Sequence, residues 1–414
     1  MGDLDYRPFP EEREDEFSAF MRYAFSPEQG PYDPEADDDD REHLAEYRGL
    51  FDGEEAVAVC GHHDFTLRIR GRDRGAAGLS AVASPPEHRR QGHIERLLRE
   101  SLTEYRGDDV RYSVLWPFEH AFYRRYGWAT VNRYRWVKTP PEQLAFAADA
   151  TGGDEVGEFR RLDADDHGQA ADLLAATADR YDFTMARTAA WWRERTLRGW
   201  QTDPFVYGLE RDGDLRALLS YTFTERDDGD GKAMVVSDAL VADPAAWDDV
   251  FRFCRDHDSQ VERVRLRLPA DVSLLDRVDD PRAVTEEVRP GPMFRLVDVP
   301  AALRGLAPDP ALDAAFTLAV DDPLVDWHDR PVQVTVADGE VDAERVGGGD
   351  EAGEPAGEAD VTAGIGALSQ LYAGYRDVDD LRTNAALDVG NGEGLAADLA
   401  PLFPPRRTFL REAF

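Results

Sequence analysis

The 414-residue chain is longer than one compact core usually holds, so roughly two to four domains of ordinary size are expected. Its 84 Asp and Glu against 48 Lys and Arg give a formal net charge of −36, while 42% hydrophobic residues, eight Trp and 20 Phe leave enough apolar material for real cores and argue against wholesale disorder. No basic stripe stands out, which argues against a general nucleic-acid binder.

In chain order, Phe17, Phe20, Met21 and Ala24 stand at helical spacing within 10–25 and predict an amphipathic helix. An acidic loop containing Asp37-Asp38-Asp39-Asp40 follows and reads as solvated chain. Ala56–Cys60 and Phe65–Ile69 alternate like two strands of a meander, and Gly78–Ser84 reads as a third. A Pro-Pro turn and an Arg-rich Gly turn then open a helix with Ile94, Leu97, Leu98 and Leu102 on one face. Arg111–Leu115 predicts a further strand and Ala121–Arg125 a short helix. Residues 139–157, with Pro140, Pro141, Gly152 and Gly153, read as a linker.

The middle segment repeats the plan in weaker form. A helix is expected near 167–178, another at Trp191-Trp192, a hairpin across Arg211–Asp214, a strand at Ala233–Val241 and a helix at Pro244–His257. Its strand-to-helix passage, Asp238–Asp249, keeps the strand, the Pro and the helix of Ser80–Gly92 but has lost the arginines and the glycine, as in a duplicated domain without an anion site. From about 296, Pro331–Val336 and Gly339–Ala343 predict a hairpin, Gly347–Glu358 a Gly/Glu/Ala-rich loop, and Ile365–Tyr372 and 394–402 two helices. The tail Thr408-Phe409-Leu410 is apolar enough to be packed down.

Only Lys138 and Lys232 are lysines, so nearly every cation is Arg. A dense carboxylate surface with so few lysines is the composition of a protein working in concentrated salt, which screens the self-repulsion. Cys60 and Cys254 stand far apart and outside any CxxC, which supports neither a disulfide framework nor a zinc site, and no metal is expected. No run approaches the roughly 18 apolar residues of a membrane span, and the start Met1-Gly2-Asp3-Leu4-Asp5 lacks a signal peptide's cations; a cytoplasmic protein without a membrane partner is expected.

The informative stretch is Val82-Ala83-Ser84-Pro85-Pro86-Glu87-His88-Arg89-Arg90-Gln91-Gly92-His93-Ile94. A strand runs into a turn of backbone amides that opens a helix, and the positive end of the helix dipole makes that turn an anion site. Gly92 lets the main chain come close to a phosphate, and Arg89 and Arg90 add charge-assisted donors. Pairing of those arginines with surface carboxylates is the bland alternative. His62 and His63, adjacent on a strand, would face opposite sides and could not easily share a metal, and His88 and His93 lack the spacing of a ligand set. The carboxylates at 11–16 could face a cationic substrate, though simple solvation explains them as well.

The turn resembles the R/Q-x-x-G-x-G/A signature by which GNAT acetyltransferases hold the pyrophosphate of acetyl-CoA. Ile94 departs from the small residue at its end, as in the enhanced-intracellular-survival (Eis) branch. Glu119-His120-Ala121-Phe122-Tyr123-Arg124-Arg125-Tyr126-Gly127-Trp128, about thirty residues on, is similar to that branch's Y-x-x-F/Y-G-F/W block, and Ala367–Arg376 is similar to its sterol-carrier-like domain. The resemblance implies an α/β (α+β) architecture: a catalytic GNAT domain over 1–148, a degenerate GNAT-like domain over 149–295 and a sterol-carrier-like domain over 296–414.

By the same resemblance, Val82, Ala83 and Ser84 lie on the strand that binds the pantetheine arm and polarises the thioester carbonyl. Arg89, Arg90, Gln91, Gly92, His93, Ile94 and Glu95 line the pyrophosphate turn, and Phe118 and Glu119 close the other side. Tyr123 is the general acid for the leaving thiolate; a core aromatic is its plain alternative. The α-carboxylate of Phe414 is the base that deprotonates an arriving ammonium, with an ordinary terminus as the alternative. The expected activity is acetyl transfer from acetyl-CoA, without an acyl-enzyme, to an aminoglycoside-, polyamine- or lysine-like amine by a homo-hexamer. A non-catalytic acyl-CoA- or lipid-binding regulator is the second reading; an intact Tyr123 and the position of Phe414 favour the enzyme.

Overall fold

The structure, a computed structural model, describes residues 4–35, 41–149, 157–199, 202–225, 231–346, 359–390 and 393–414. Asp37–Asp40, Gly152-Gly153 and Gly347–Glu358 therefore lie outside the described residues. The chain forms two compact units: one of 1–131, 292–408 and 412–414, the other of 132–291 and 409–411.

The chain begins with β1 (Asp5–Pro8), α1 (Glu14–Phe25), β2 (Glu46–Asp52), β3 (Glu55–Ile69), β4 (Arg72–Ala83), α2 (His93–Gly107), β5 (Tyr112–Leu115), α3 (His120–Arg124) and β6 (Ala129–Thr130). The segment 132–291 supplies β7 (Arg133–Thr139), α4 (Phe146–Asp149), β8 (Glu158–Arg161), α5 (His167–Thr177), α6 (Ala189–Trp191), β9 (Phe205–Arg211), β10 (Asp214–Glu225), β11 (Lys232–Val241), α7 (Pro244–Arg255), β12 (Arg263–Pro269) and β13 (Thr285–Pro290). The remainder folds as β14 (Met293–Leu296), α8 (Val299–Leu303), β15 (Ala314–Asp321), β16 (Val332–Ala337), β17 (Glu340–Arg345), β18 (Val361–Gly364), α9 (Ile365–Tyr372), α10 (Val378–Thr383), β19 (Leu387–Val389) and α11 (Glu393–Leu402).

Three sheets result, ordered β1-β2-β3-β4-β5-β14-β6, β13-β7-β12-β11-β10-β9-β8 and β17-β16-β15-β18-β19. The first and third belong to the first unit. β14 enters the first sheet between β5 and β6, antiparallel to both, with Phe294 opposite Val114 on one side and Ala129 on the other.

Two sequence expectations are corrected. The meander of two short strands is one 15-residue strand, β3. Gly61, His62 and His63 interrupt the hydrophobic alternation but stay paired with Ser80, Leu79 and Gly78, because each imidazole finds a polar partner on its own side of the sheet. His62 Nε2 lies 3.1 Å from Ser101 Oγ on α2, whereas His63 lies 3.1 Å from the Leu44 carbonyl and 2.9 Å from Ser80 Oγ. The expected linker is likewise structured over its first part: Leu144 and Ala147 are inaccessible members of the second unit's core.

α2 shows why the local sequence folds as it does. Leu97, Leu98, Ser101, Leu102 and Tyr105 recur at helical spacing and are all buried, while Arg96 and Thr103 face solvent. This stripe shares a core with Val57, Cys60, Leu79, Tyr123 and Trp128. Glu104 on the same helix accepts from Tyr6 (2.7 Å) and from Arg48 (2.7 Å), tying α2 to β1 and β2. The C-terminal stretch is packed down as its composition implied, with Phe409 and Leu410 buried. Leu102→Ala, opening a cavity in the α2 core, is expected to cost about 3 kcal/mol; Arg96→Ala on the solvent face should stay within about 0.5 kcal/mol. Denaturant titration of the two variants against the parent measures the difference.

Candidate active site

The site grows from the parting of two strands. β4 and β5 are parallel neighbours, but they pair only at Ala77–Ser113 and Gly78–Val114. Beyond Gly78, β4 continues to Ala83 alongside β3 alone, with a register shift opposite Cys60 and a left-handed Ala81 (φ 53°). The β5-facing edge of Leu79–Ala83 is thus without a strand partner among the described residues, which leaves backbone donors and acceptors available along the cleft. Val82 and Ala83 are buried there, and Ser84 Oγ donates to the Val57 carbonyl at 2.8 Å.

Past Ser84 the chain makes a single 3-10 turn over Pro86–His88, passes Arg90 (φ 60°) and Gly92 (φ 85°), and enters α2 at His93. Among the described residues no side chain caps the helix, so its first N–H groups are available to an anion. A Cβ placed on Gly92 would meet nothing within 4 Å, so the glycine fronts open space. Arg89, Arg90, Gln91 and Gly92 are all exposed. Arg89 Nε lies 3.3 Å from the Ser84 carbonyl and its guanidinium sits 5.2 Å over the Tyr23 ring, a platform on α1 that sequence reasoning missed.

The remaining turn residues divide. Ile94 packs against the α2 core, which gives the larger apolar residue at this position a structural place instead of pointing it at a phosphate. Glu95 is held by Arg99 at 3.0 Å. His93 and His88 have ring centroids 6.0 Å apart; burial and then His88 lower the pKa of His93, while His88 itself meets Glu55 at 3.0 Å.

On the far side of the cleft, Glu119 caps α3 by accepting from the Ala121 N–H, and Phe118 is 63% exposed while its ring meets Tyr123 edge-on at 5.5 Å. Tyr123 is 3% exposed, among Phe118, Phe122 and Trp128. Burial, with a smaller effect from Cys60, pushes its pKa up, so the hydroxyl holds its proton. Cys60 is fully buried and burial raises its thiol to about 12, which makes it a poor nucleophile.

The last residues of the chain approach the same sheet. Trp116 Nε1, just after β5, donates to the Glu412 carbonyl at 2.6 Å. The Phe414 ring packs edge-on against Phe65 (4.8 Å) and His63 (5.5 Å), both on β3. In the first unit the anion turn leaves β4, Tyr123 stands on α3 after β5, and the Phe414 ring packs on β3; Trp116 and His63 are contacts that sequence reasoning did not find, because they are visible only once β3 and β5 stand in one sheet on either side of β4.

The corresponding place in the second unit is closed. After β11, Asp243 caps α7 by accepting from the Ala246 N–H at 2.8 Å and pairs with Arg216, and Pro244 supplies no N–H. A carboxylate already occupies the helix N-terminus, where it would repel a phosphate. Among the described residues, no group of three or more His, Cys, Asp or Glu could hold a metal ion, and no helix is long and apolar enough to cross a membrane.

Residues 5–131 and 184–296 each match an acetyltransferase (GNAT) domain family, and 299–411 match the sterol carrier protein domain. The chain is similar to an uncharacterized N-acetyltransferase of Streptomyces coelicolor, with 26% identity over 85% of this chain and 86% of that one, and to one of Streptomyces griseus, with 27% identity over 86% and 85%. Among solved structures it resembles a GCN5-related N-acetyltransferase from Anabaena variabilis (TM-score 0.79, 17% identity, 99% of this chain and 100% of that one) and Eis1 from Mycobacterium abscessus (TM-score 0.75, 20% identity, again 99% and 100%); at these identities the likeness is one of fold. The chain belongs to the GNAT acetyltransferases, with tandem GNAT domains and a C-terminal sterol-carrier-like domain in a mixed α/β fold.

Gly92→Val would force a β-branched residue into a left-handed conformation and push a side chain into the space before α2. Acetyl-CoA affinity by calorimetry is expected to fall at least about tenfold, and Arg89→Ala with Arg90→Ala should weaken it in the same direction with the fold intact. Affinity equal to that of the parent would make the turn purely structural.

Proposed function

We propose that this protein moves the acetyl group of acetyl-CoA directly to a primary amine of the aminoglycoside, polyamine or lysine side-chain class, with Tyr123 as general acid and the α-carboxylate of Phe414 as general base. The N-terminal GNAT domain is the catalytic one, the middle GNAT domain a degenerate copy, and the C-terminal sterol-carrier-like domain carries Phe414. The observation that carries this reading is the cleft itself: β4 and β5 separate after Gly78, an uncapped α2 opens behind Gly92, and a protonated Tyr123 stands across from them.

Acetyl-CoA supplies the activated acyl group; the chain's own residues do the rest. The backbone N–H groups at Gly92–Glu95 and the guanidinium groups of Arg89 and Arg90 bind the pyrophosphate. The free edge of Leu79–Ala83 orients the pantetheine arm and holds the acyl oxygen. An amine arrives as an ammonium, so an acceptor-only group must take one proton before attack, and the Phe414 carboxylate is such a group. As the C–S bond breaks, Tyr123 gives its proton to the departing thiolate and is restored by the second proton that the attacking nitrogen must lose to become a neutral amide. Direct transfer is supported by Cys60, whose thiol is inaccessible. The arginine-rich, acidic composition and the family resemblance support a cytoplasmic hexamer working in concentrated salt, so assays belong at high ionic strength.

Tyr123→Phe removes one hydroxyl and keeps the packing, so acetyl-CoA should bind normally while turnover falls about 10²-fold. Because burial raises the Tyr123 pKa, the acid stays protonated as pH climbs, and kcat of the parent should hold up to about pH 10 instead of falling below it. Release of free CoA with a panel of amines reads both; acetyl-CoA binding with no release under any amine would favour a non-catalytic acyl-CoA- or lipid-binding regulator.

Residues appended after Phe414 convert its carboxylate to a neutral amide. Transfer should collapse while acetyl-CoA still binds, and the acidic limb of the kcat/KM profile should vanish with the base. The same extension placed before Met1 is expected to be harmless. Normal turnover in the C-terminally extended protein would pass the base role to another carboxylate or to water.

A further inference from the structure

The helix that carries Tyr123 cannot hold its own position. α3 has five residues, far below the length at which a helix is stable alone. The backbone that leaves it is wrapped around a guanidinium. Arg295, on β14, donates from Nη1 to the Tyr126 carbonyl, and its guanidinium lies 5.2 Å over the Trp128 ring. Gly127 between them has φ 90°, and a side chain there would run into the same guanidinium.

That guanidinium is completely buried, so its charge must be answered locally. Asp322 answers it with both carboxylate oxygens, 2.8 and 2.6 Å from Nη2, and is itself inaccessible. His328 donates from Nδ1 to Asp322 at 2.8 Å and accepts the Val299 N–H at Nε2 (3.3 Å), which sets the neutral Nδ1–H tautomer. The Leu324 N–H adds a third donor to the carboxylate at 3.0 Å. Burial pushes the Asp322 carboxyl up, but His328 and Arg295 outweigh it and bring it down to about 2.

The loop that supplies Asp322 and His328 joins β15 to β16 in the sterol-carrier-like domain, and it reaches the catalytic core. Leu324 and Val325 pack in the same cluster as Tyr123 and Trp128, and the Leu324 carbonyl accepts from Arg99 of α2 at 2.8 Å. All of these residues lie in one compact unit.

We infer that Arg295, oriented by Asp322 and His328, is a positioning residue for Tyr123: the sterol-carrier-like domain sets where the acid stands, separately from presenting Phe414. The inference rests on the acid role proposed for Tyr123. A pair buried only for stability would leave the chemistry of Tyr123 alone, so the two roles separate in a double-mutant cycle.

Two versions of the change are made in the full chain. Arg295→Lys keeps a cation against Asp322, but one ammonium cannot replace a planar fork that spans a carboxylate and the Tyr126 carbonyl. Arg295→Met with Asp322→Leu replaces the pair by apolar side chains, an exchange that buried ion pairs often tolerate. Each is measured alone and in a Tyr123→Phe background for kcat, KM and acetyl-CoA affinity by calorimetry, with thermal unfolding to report the fold. Alone, each should lower kcat about tenfold with acetyl-CoA affinity within about twofold of the parent, and on Tyr123→Phe each should cost nothing further, because its effect runs through that hydroxyl. A folded variant with unchanged kcat, or losses that multiply with Tyr123→Phe, overturns the positioning role while leaving the acid role standing. Full turnover in Tyr123→Phe alone overturns the acid role, and this inference with it. Should both Arg295 variants fail to fold, His328→Leu, which keeps the Arg295–Asp322 pair, goes through the same cycle with about a threefold fall in kcat expected; no fall, or one that multiplies, overturns the inference.

Discussion

The first sheet depends on a strand that comes from far along the chain. β5 is buried at all four of its residues, yet β4 pairs with only two of them before it turns away. Buried backbone polar groups without partners are costly, so the other side of β5 has to be filled. β14 fills it, pairing with every residue of β5 and then with β6. The opening between β4 and β5 and the insertion of β14 are therefore two sides of one constraint. The sheet can part where a ligand would enter because it is closed where β14 enters, and that closure brings Arg295 beneath the turn that follows Tyr123.

The charge balance is resolved differently inside and outside. A net charge of −36 puts most carboxylates at the surface, where solvent and salt screen them. Several that are withdrawn from solvent are answered by arginine: Asp322 by Arg295, Asp249 by Arg211 and Arg252, Asp238 by Arg187. A planar, permanently charged fork can satisfy two acceptors in a site with no water to share, which an ammonium does less well. The near absence of lysine is thus compatible with the interior as well as with the surface.

The two GNAT copies show how little separates an anion site from an ordinary helix start. Both run a strand through a Pro-containing turn into a helix. In one, Gly92 leaves space and the helix N-terminus is uncapped; in the other, Asp243 caps the helix and is held by Arg216. A single side-chain carboxylate at the N-cap supplies the negative charge that a bound phosphate otherwise would, and the position is stabilised without any ligand.

The sequence by itself determined what local spacing controls. The apolar stripe of α2, the Gly92 turn, the hairpin of β16 and β17 and the apolar tail are all properties of neighbouring residues, and the family motifs fall within short runs of chain. It misread β3 as two strands because Gly61, His62 and His63 break the alternation, and their polar partners Ser101, Leu44 and Ser80 come from other elements. It read 139–157 as linker because Pro140 and Pro141 signal a turn, while the burial of Leu144 and Ala147 is set by the second unit's core. Nothing in the spacing of Arg295, Asp322 and His328 marks them as a unit with Tyr126, nor joins Trp116 to Glu412. Only the tertiary structure decided those contacts, because a buried charge is paired through space by whichever side chain the topology delivers, and that partner carries no signature in the chain around it.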